Sequence, residues 1–479
     1  MTFNDVLSKI NEVLGKINDV MYTYILIILL VAVGVYFTVR TKGVQFRLFK
    51  DGIKSIMEPS EKRKAGEKKV SSFQALMIST ASRVGTGNIA GIATAIAAGG
   101  PGAVFWMWLM ALIGGASAFI ESTLAQIYKV KDGGQYRGGP SYYMERALGK
   151  RWMGILFSIL LIICFAYGFN GLQSFNMSSA LEYYVADYSN TVWPMVVGIS
   201  LAVLFGLVIW GGTHRIGFIS AVIVPIMATI YILMGLVTMI LNITELPGVI
   251  ALIVKEAFDI EAIMGGFAGS AVVLGIKRGL FSNEAGMGSA PNASASADVE
   301  HPVKQGLVQV ISVFIDTILI CSSTAFMLLL SGVEGIKGTL DGIPYVQKAI
   351  SANVGEWGIH FITFSIFAFA FTSLIGNYCY AESNILFIKN NKVLLNIFRV
   401  TCLIAVFLGA QADFSMVWNL ADVTMGLMAI VNIIAMFMLG KIALKVLKHY
   451  EKQKKEGKKP LFYEDEVGLT GTIWTRERK

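Results

Sequence analysis

The feature that most constrains this chain is a succession of long apolar runs. A helix that crosses the hydrocarbon core of a bilayer takes about 20 apolar residues. By that rule eleven runs qualify: 21–39, 73–97, 102–128, 152–181, 191–211, 216–242, 262–290, 306–331, 358–387, 395–411 and 414–440. In lipid every backbone polar group must find its partner within the protein, and a helix provides that locally. The sequence therefore predicts an all-α polytopic membrane protein of eleven spans. Composition agrees. Of 479 residues, 55% are hydrophobic and 15% charged, where a soluble domain is about 25% charged, and the mean hydropathy is +0.63. These values exclude a soluble enzyme, a disordered chain and a collagen-like repeat.

Basic residues orient the spans, because they favour the cytoplasmic side. Of 40 Lys and Arg, 32 fall on one side: segment 40–70 with its Lys62-Arg63-Lys64 cluster, loop 129–151, the loops at Arg215 and Lys304, residues 389–399, and the C-terminal segment from Lys441. Five fall on the other, and Arg83, Lys277 and Arg278 lie inside spans. The N-terminus is then outside and the C-terminus cytoplasmic. The formal net charge of +8 becomes a collar against anionic lipid rather than a nucleic-acid surface. Residues 1–20 carry Asp5, Glu12 and Asp19 among apolar residues at helical spacing. They read as an amphipathic interfacial helix, not a signal peptide. The tail 441–479 is basic and helical at first, with 460–479 a mobile end. Cys164, Cys321, Cys379 and Cys402 lie within apolar runs without metal-ligand spacing, and the four histidines are scattered. No disulfide, zinc site or protein partner is indicated.

Two runs are interrupted. The second reads Ser79-Thr-Ala-Ser-Arg-Val-Gly-Thr-Gly-Asn-Ile-Ala-Gly91; the seventh contains Gly265, Gly266 and Ser270, then Leu274-Gly275-Ile-Lys-Arg-Gly279. Glycine weakens a helix, and a charge at membrane depth costs several kcal/mol. Both are tolerated where backbone lines an enclosed polar site. Paired interruptions in corresponding positions mark the binding site of a secondary transporter. Spans 2–6 (73–242) and 7–11 (262–440) would then be inverted copies, with 21–39 as an extra first span. A small-residue packing face would explain the glycines but not Arg83, Asn88, Lys277 and Arg278 at the same depth.

The run Arg83-Val-Gly-Thr-Gly-Asn-Ile-Ala-Gly91, with Gly99-Gly-Pro-Gly102, Gly138-Gly-Pro-Ser-Tyr-Tyr-Met144 and Gly279-Leu-Phe-Ser-Asn-Glu-Ala-Gly-Met-Gly-Ser-Ala-Pro291, resembles the alanine or glycine:cation symporters over nearly the whole chain. The resemblance implies the leucine-transporter (LeuT-type) fold of two inverted five-helix repeats. It also implies Na⁺-coupled alanine or glycine uptake by alternating access across a prokaryotic inner membrane. The alternative is a symporter, coupled to Na⁺ or H⁺, for another small neutral solute. A channel would be expected to show rings of charge. An intramembrane enzyme would need a Ser/His pair, an HExxH or paired aspartates, and none occurs at membrane depth.

A small amino acid is a zwitterion. Its carboxylate suits the free N–H groups of a broken helix, here Thr86, Gly87 and Asn88. Its ammonium would find acceptors around Ser270. Asn170 and Gln173, one helical turn apart, face the site or act as interhelical polar glue. Phe169 is a further lining candidate. Asp316, a carboxylate at membrane depth, calls for a partner: a second cation or Arg83. Glu121 and Glu382 are expected to pair with Lys277 or Arg278. By resemblance, Thr372 and Ser373 supply hydroxyl ligands to Na⁺, the carbonyls of Ala81, Val84 and Phe369 complete the set, and Asn377 faces the substrate.

Overall fold

A computed structural model describes residues 3–58, 70–259, 269–336 and 339–476. The Lys62–Lys64 cluster, the expected start of the seventh span at 262, and Gly265 and Gly266 lie outside them. Among the described residues eight helices are long and apolar enough to cross a membrane: Ser8–Arg40, Gly102–Ile127, Arg151–Ser179, Ile219–Leu241, Pro302–Leu329, Trp357–Ile388, Lys392–Gly409 and Phe414–Lys455. Trp193–Ile209 is a shorter apolar helix.

The two remaining apolar runs are split. Ser72–Arg83 and Ala90–Gly99 flank one break, and Ala271–Asn283 and Ala290–Ser296 flank the other. Every residue from 75 to 93 and from 275 to 295 is buried, so the broken spans form the centre of the bundle. Trp193–Ile209 and Ile219–Leu241 instead expose Leu204, Leu207, Ile226 and Ile240. That is the expected dress of helices facing lipid.

Local sequence explains where these elements begin and bend. Ser71 and Gln74 form a reciprocal capping box at the start of Ser72–Arg83, satisfying two donors that a helix start leaves free. Asp413 accepts the N–H groups of Ser415 and Met416 and so starts the last helix. Among the described residues three helices contain a π-helical turn: Met21–Leu26, Ile162–Phe169 and Phe314–Cys321. Such turns add a residue per turn, re-aim the rest of the helix and cluster at functional sites.

Three expectations are revised. Residues 3–20 are helical but not a separate interfacial element, since Phe3–Val20 runs through the π turn into Ile27–Arg40. Asn11 and Asn18 hydrogen-bond to Ser415, Asn419 and Asp422 of the last helix, while Ile10, Val13 and Ile17 stay exposed. Its polar side meets protein and its apolar side faces outward.

Nor is position 440 a boundary, because one helix runs from Phe414 to Lys455. Residues 460–476, expected as a mobile end, dock on the basic end of the bundle. Phe462, Val467 and Trp474 are buried, Trp474 Nε1 donates to the Gln126 carbonyl at 2.9 Å, and Phe462 N donates to the Glu300 carbonyl at 3.1 Å. Periodicity missed this segment because irregular backbone can bury aromatic side chains without a repeat.

The third revision concerns the seventh run. Gly275 and Gly279 do not interrupt it. A Cβ on Gly275 would lie 2.4 Å from the Ala103 carbonyl oxygen, and one on Gly279 would touch Met107 and Met110. They let the helix approach Gly102–Ile127 closely. The break falls later, over 284–289, where Glu284, Gly286 and Gly288 have φ of 54°, 84° and 90°.

Candidate substrate and cation site

At the first break the helix ends at Arg83, passes through extended Val84 and Gly85, makes one 3₁₀ turn over Thr86–Asn88, and resumes at Ala90. The freed groups are met by side chains. Gln173 Oε1 accepts the Thr86 N–H at 3.0 Å, and Asn88 Oδ1 accepts the Gly85 N–H at 3.0 Å. Asn377 donates to Asn170 at 3.0 Å and accepts from the Ser82 hydroxyl at 2.7 Å. Thus Thr86, Gly87, Asn88, Asn170, Gln173 and Asn377, named from sequence, meet in one place. Phe169 joins them through Phe281, with ring centres 4.6 Å apart. A Cβ on Gly87 would fall 2.4 Å from the Phe281 ring, and Phe281 in turn lies against Trp418 at 5.3 Å.

Against the same backbone, the Ser373 hydroxyl lies 2.9 Å from the Ala81 carbonyl oxygen and 3.0 Å from that of Val84. The Thr372 hydroxyl bonds back to the Phe369 carbonyl at 2.9 Å. Gly376 permits this approach, since a Cβ there would sit 2.8 Å from the Ser82 backbone nitrogen. Of the five groups nominated for a cation, Ser373 meets Ala81 and Val84, while Thr372 and Phe369 contact each other on the same helix, and all five are neutral oxygens. Such a set suits a hard monovalent ion.

Ser270 is not part of the cluster. It caps Ala271–Asn283 through Val273 N at 3.4 Å, and 13 helical residues separate it from the break by about 20 Å. Asp316 sits inside the π turn and accepts from Asn88 Nδ2 at 2.7 Å and from the hydroxyls of Thr317, at 3.0 Å, and Ser282. Of the two partners open to Asp316, a cation or Arg83, Arg83 forms no pair with it among the described residues. Arg83 donates to Gln309 at 3.2 Å, and its Nε and Nη2 meet no partner.

Glu121 and Glu382 also take other partners than expected. Glu382 pairs with Arg399 at 3.2 Å. Glu121 accepts the N–H groups of Gly286 and Gly288, at 3.2 and 3.0 Å, and the Asn432 amide at 2.8 Å, so it holds the second break. Lys277 and Arg278 meet on Asp422, at 2.7 Å and through a bidentate pair of 3.0 and 3.1 Å.

Sequence reasoning missed Ser82, Phe281, Ser282, Glu284, Trp418 and Asp422. Glu284 is the most informative of them. Its carboxylate takes the Ser82 hydroxyl at 3.1 Å and the Ser289 hydroxyl at 2.6 Å, tying the two breaks together. The available signal was the run Asn283-Glu-Ala-Gly-Met-Gly-Ser289, whose two glycines beside a buried charge repeat the logic of Gly85 and Gly87.

Comparison with known proteins bears on family and fold. The model of the sodium:alanine symporter family matches residues 7–464. The chain is 50% identical over 434 residues to the amino-acid carrier protein AlsT of Bacillus subtilis, covering 91% of each. It is 48% identical over 445 residues to the probable sodium/glutamine symporter GlnT of the same organism, covering 93% of this chain and 91% of that one. Among solved structures, MhsT in complex with L-phenylalanine superposes with a TM-score of 0.54 at 13% identity, over 85% of this chain and 94% of that one. At that identity the likeness is one of fold alone, that of a LeuT-type transporter. A family match over nearly the whole length, with half-identical relatives covering nine-tenths of it, establishes that the chain belongs to the sodium:alanine symporter family and is a membrane symporter, not an enzyme.

Proposed function

We propose that this protein carries alanine or glycine into the cell together with Na⁺, by alternating access about the two broken spans. The observation that carries the reading is the shared backbone of residues 81–88. It meets the Ser373 hydroxyl through the Ala81 and Val84 carbonyls and also lies among Gln173, Asn170, Asn377 and Phe281, and a Cβ on Gly85 would meet both Ser373 and Gln173. A cation drawn to those carbonyls would tie Trp357–Ile388 to the first break and stiffen the N–H groups that meet the substrate. In this reading Thr86, Gly87 and Asn88 receive the carboxylate, with Gln173 giving way. The ammonium goes to the open carbonyls ending Ala271–Asn283, where the helix dipole is negative. This replaces the role expected of Ser270. Phe281 and Phe169 limit the side chain to a small one. Ala81, Val84, Phe369, Thr372 and Ser373 hold Na⁺, and Asp316 with Asn88 and Ser282 is the second cation position.

The same reading makes 73–242 and 262–440 inverted repeats of five spans, with 21–39 as the additional span. It is supported by two breaks of similar depth, which begin 12 and 13 residues into their first half-helices. The eight long helices, the shorter Trp193–Ile209 and the two split runs fit eleven crossings. The asymmetry of the basic residues supports an N-terminus outside and a C-terminus in the cytoplasm of a prokaryotic cell.

The test is uptake of labelled alanine by proteoliposomes under an imposed Na⁺ gradient. Uptake driven by Na⁺, and not by equal K⁺ or pH gradients, is the expected result. Drive by the pH gradient alone would make the coupling ion H⁺. The similarity to GlnT favours a second reading, in which glutamine is the solute. Competition separates the two, since glutamine should displace alanine at least tenfold more weakly if Phe281 closes the pocket.

A further inference from the structure

Away from the transport site, a cleft of about 840 Å³ opens between the end of Ser8–Arg40, the short helices after it, and the basic stretch of Phe414–Lys455. Six basic residues line it, Arg40, Lys42, Arg47, Lys448, Lys454 and Lys455, against one acid, Glu451. Arg47 is paired with Glu451 at 2.6 Å and Lys454 with Asp51. Arg40, Lys42, Lys448 and Lys455 meet no acidic partner among the described residues. The wall is apolar: Leu444 and Leu447 form its floor, and Val39, 69% exposed, its lip.

The location selects the ligand. On one helix the apolar run ends at Val39–Arg40; on the other it ends at Gly440, followed by Lys441, Lys445 and Lys448. The cleft therefore straddles the level where hydrocarbon gives way to headgroups. A ligand there must offer anionic oxygen to the lysines and hydrocarbon to Val39 at once. Inorganic phosphate lacks the second part and a zwitterionic lipid lacks the net charge. Basic pockets between membrane helices on the cytoplasmic side bind anionic headgroups.

We propose that this cleft is a binding site for one anionic phospholipid, its phosphate among Arg40, Lys42, Lys448 and Lys455 and its acyl chains leaving past Val39. The bound lipid joins the first span to the last helix. These two also meet at Asn18 and Asp422 near their other ends, so the lipid closes a second clasp on the helix pair that flanks the broken spans.

The test is native mass spectrometry of the purified full chain, titrated separately with phosphatidylglycerol and phosphatidylcholine. The wild type should retain phosphatidylglycerol at least tenfold more tightly. Lys448→Gln with Lys455→Gln should weaken it about thirty-fold, the equivalent of about 1 kcal/mol per basic residue near an anionic headgroup. Lys441→Gln with Lys452→Gln, on the same helix but outside the cleft, should not. If the first variant lowers the melting temperature, Arg40→Gln with Lys42→Gln replaces it. Wild-type affinity in a cleft variant, equal weakening in the control variant, or displacement of the lipid by millimolar inorganic phosphate would each overturn the proposal.

Discussion

The two breaks at the centre of the molecule do the same thing by different chemistry. Over 84–89 the chain never takes a left-handed conformation, and its freed groups are held by neutral amides and a hydroxyl: Gln173, Asn88 and Ser373. Over 284–289 three residues are left-handed, and the freed N–H groups of Gly286 and Gly288 are held by a buried carboxylate, Glu121. Neutral partners can exchange a hydrogen bond for a ligand at little cost. A buried carboxylate that loses its donors leaves an uncompensated charge. The difference assigns exchangeable contacts to the first break and permanent ones to the second. For the proposed solute and cation, the first break is then the one whose contacts give way, and the second the one whose own contacts stay made.

The largest expected effect tests the first break. Gly87→Leu should abolish alanine binding while the protein stays folded, because even its Cβ would collide with the Phe281 ring. Retained affinity, measured by alanine titration, would move the solute elsewhere. At the second break, Glu121→Ala should act on stability. It leaves two buried N–H groups without a partner and takes one of the Asn432 amide's acceptors, at about 2–5 kcal/mol, readable as a lower thermal midpoint. A variant as stable as wild type but inactive would reverse the contrast, making the second break the exchangeable one.

A smaller, selective effect is expected from Thr372→Ala with Ser373→Ala. Half-saturating Na⁺ should rise about tenfold, equivalent to about 1.4 kcal/mol, with alanine affinity at saturating Na⁺ nearly unchanged. Wild-type Na⁺ dependence would leave Asp316 as the leading cation ligand. The smallest effect should appear at His301, far from both breaks, where tail and bundle meet. Burial, then the charges of His449 and Lys304, hold its pKa well below the ordinary 6.5. A depressed histidine is neutral in the folded protein, so docking is unaffected above pH 6.5 and weakens as pH falls below it. Around it, His449 lies 3.3 Å away and is itself paired with Glu466 at 3.0 Å. Protease sensitivity of the tail should therefore rise between pH 6.5 and 5, and His301→Phe should remove that dependence.

Much of this architecture was legible in the chain. Apolar run length determines which segments become spans, because lipid admits few other solutions. Glycine beside Asn88 marked the first break, since no helix keeps Gly85-Thr-Gly87 at membrane depth without a use for it. The hydroxyl pair at 372–373 was legible through family resemblance. The second break was not. Gly275 and Gly279 looked like the interruption and proved to be packing contacts, whereas Gly286 and Gly288 were counted within the seventh span. A glycine's role depends on what faces it, and for Gly275 that is the Ala103 carbonyl. The same limit separates charge from partner. Sequence determined that Lys277, Arg278, Glu121 and Asp316 needed partners in a medium that penalises bare charge. Only the tertiary structure decided that the first two share Asp422, that Glu121 holds a backbone turn and that Asp316 meets Asn88. Those choices join residues 144 to 228 positions apart, and they are set by helix packing, about which hydropathy and periodicity carry no information.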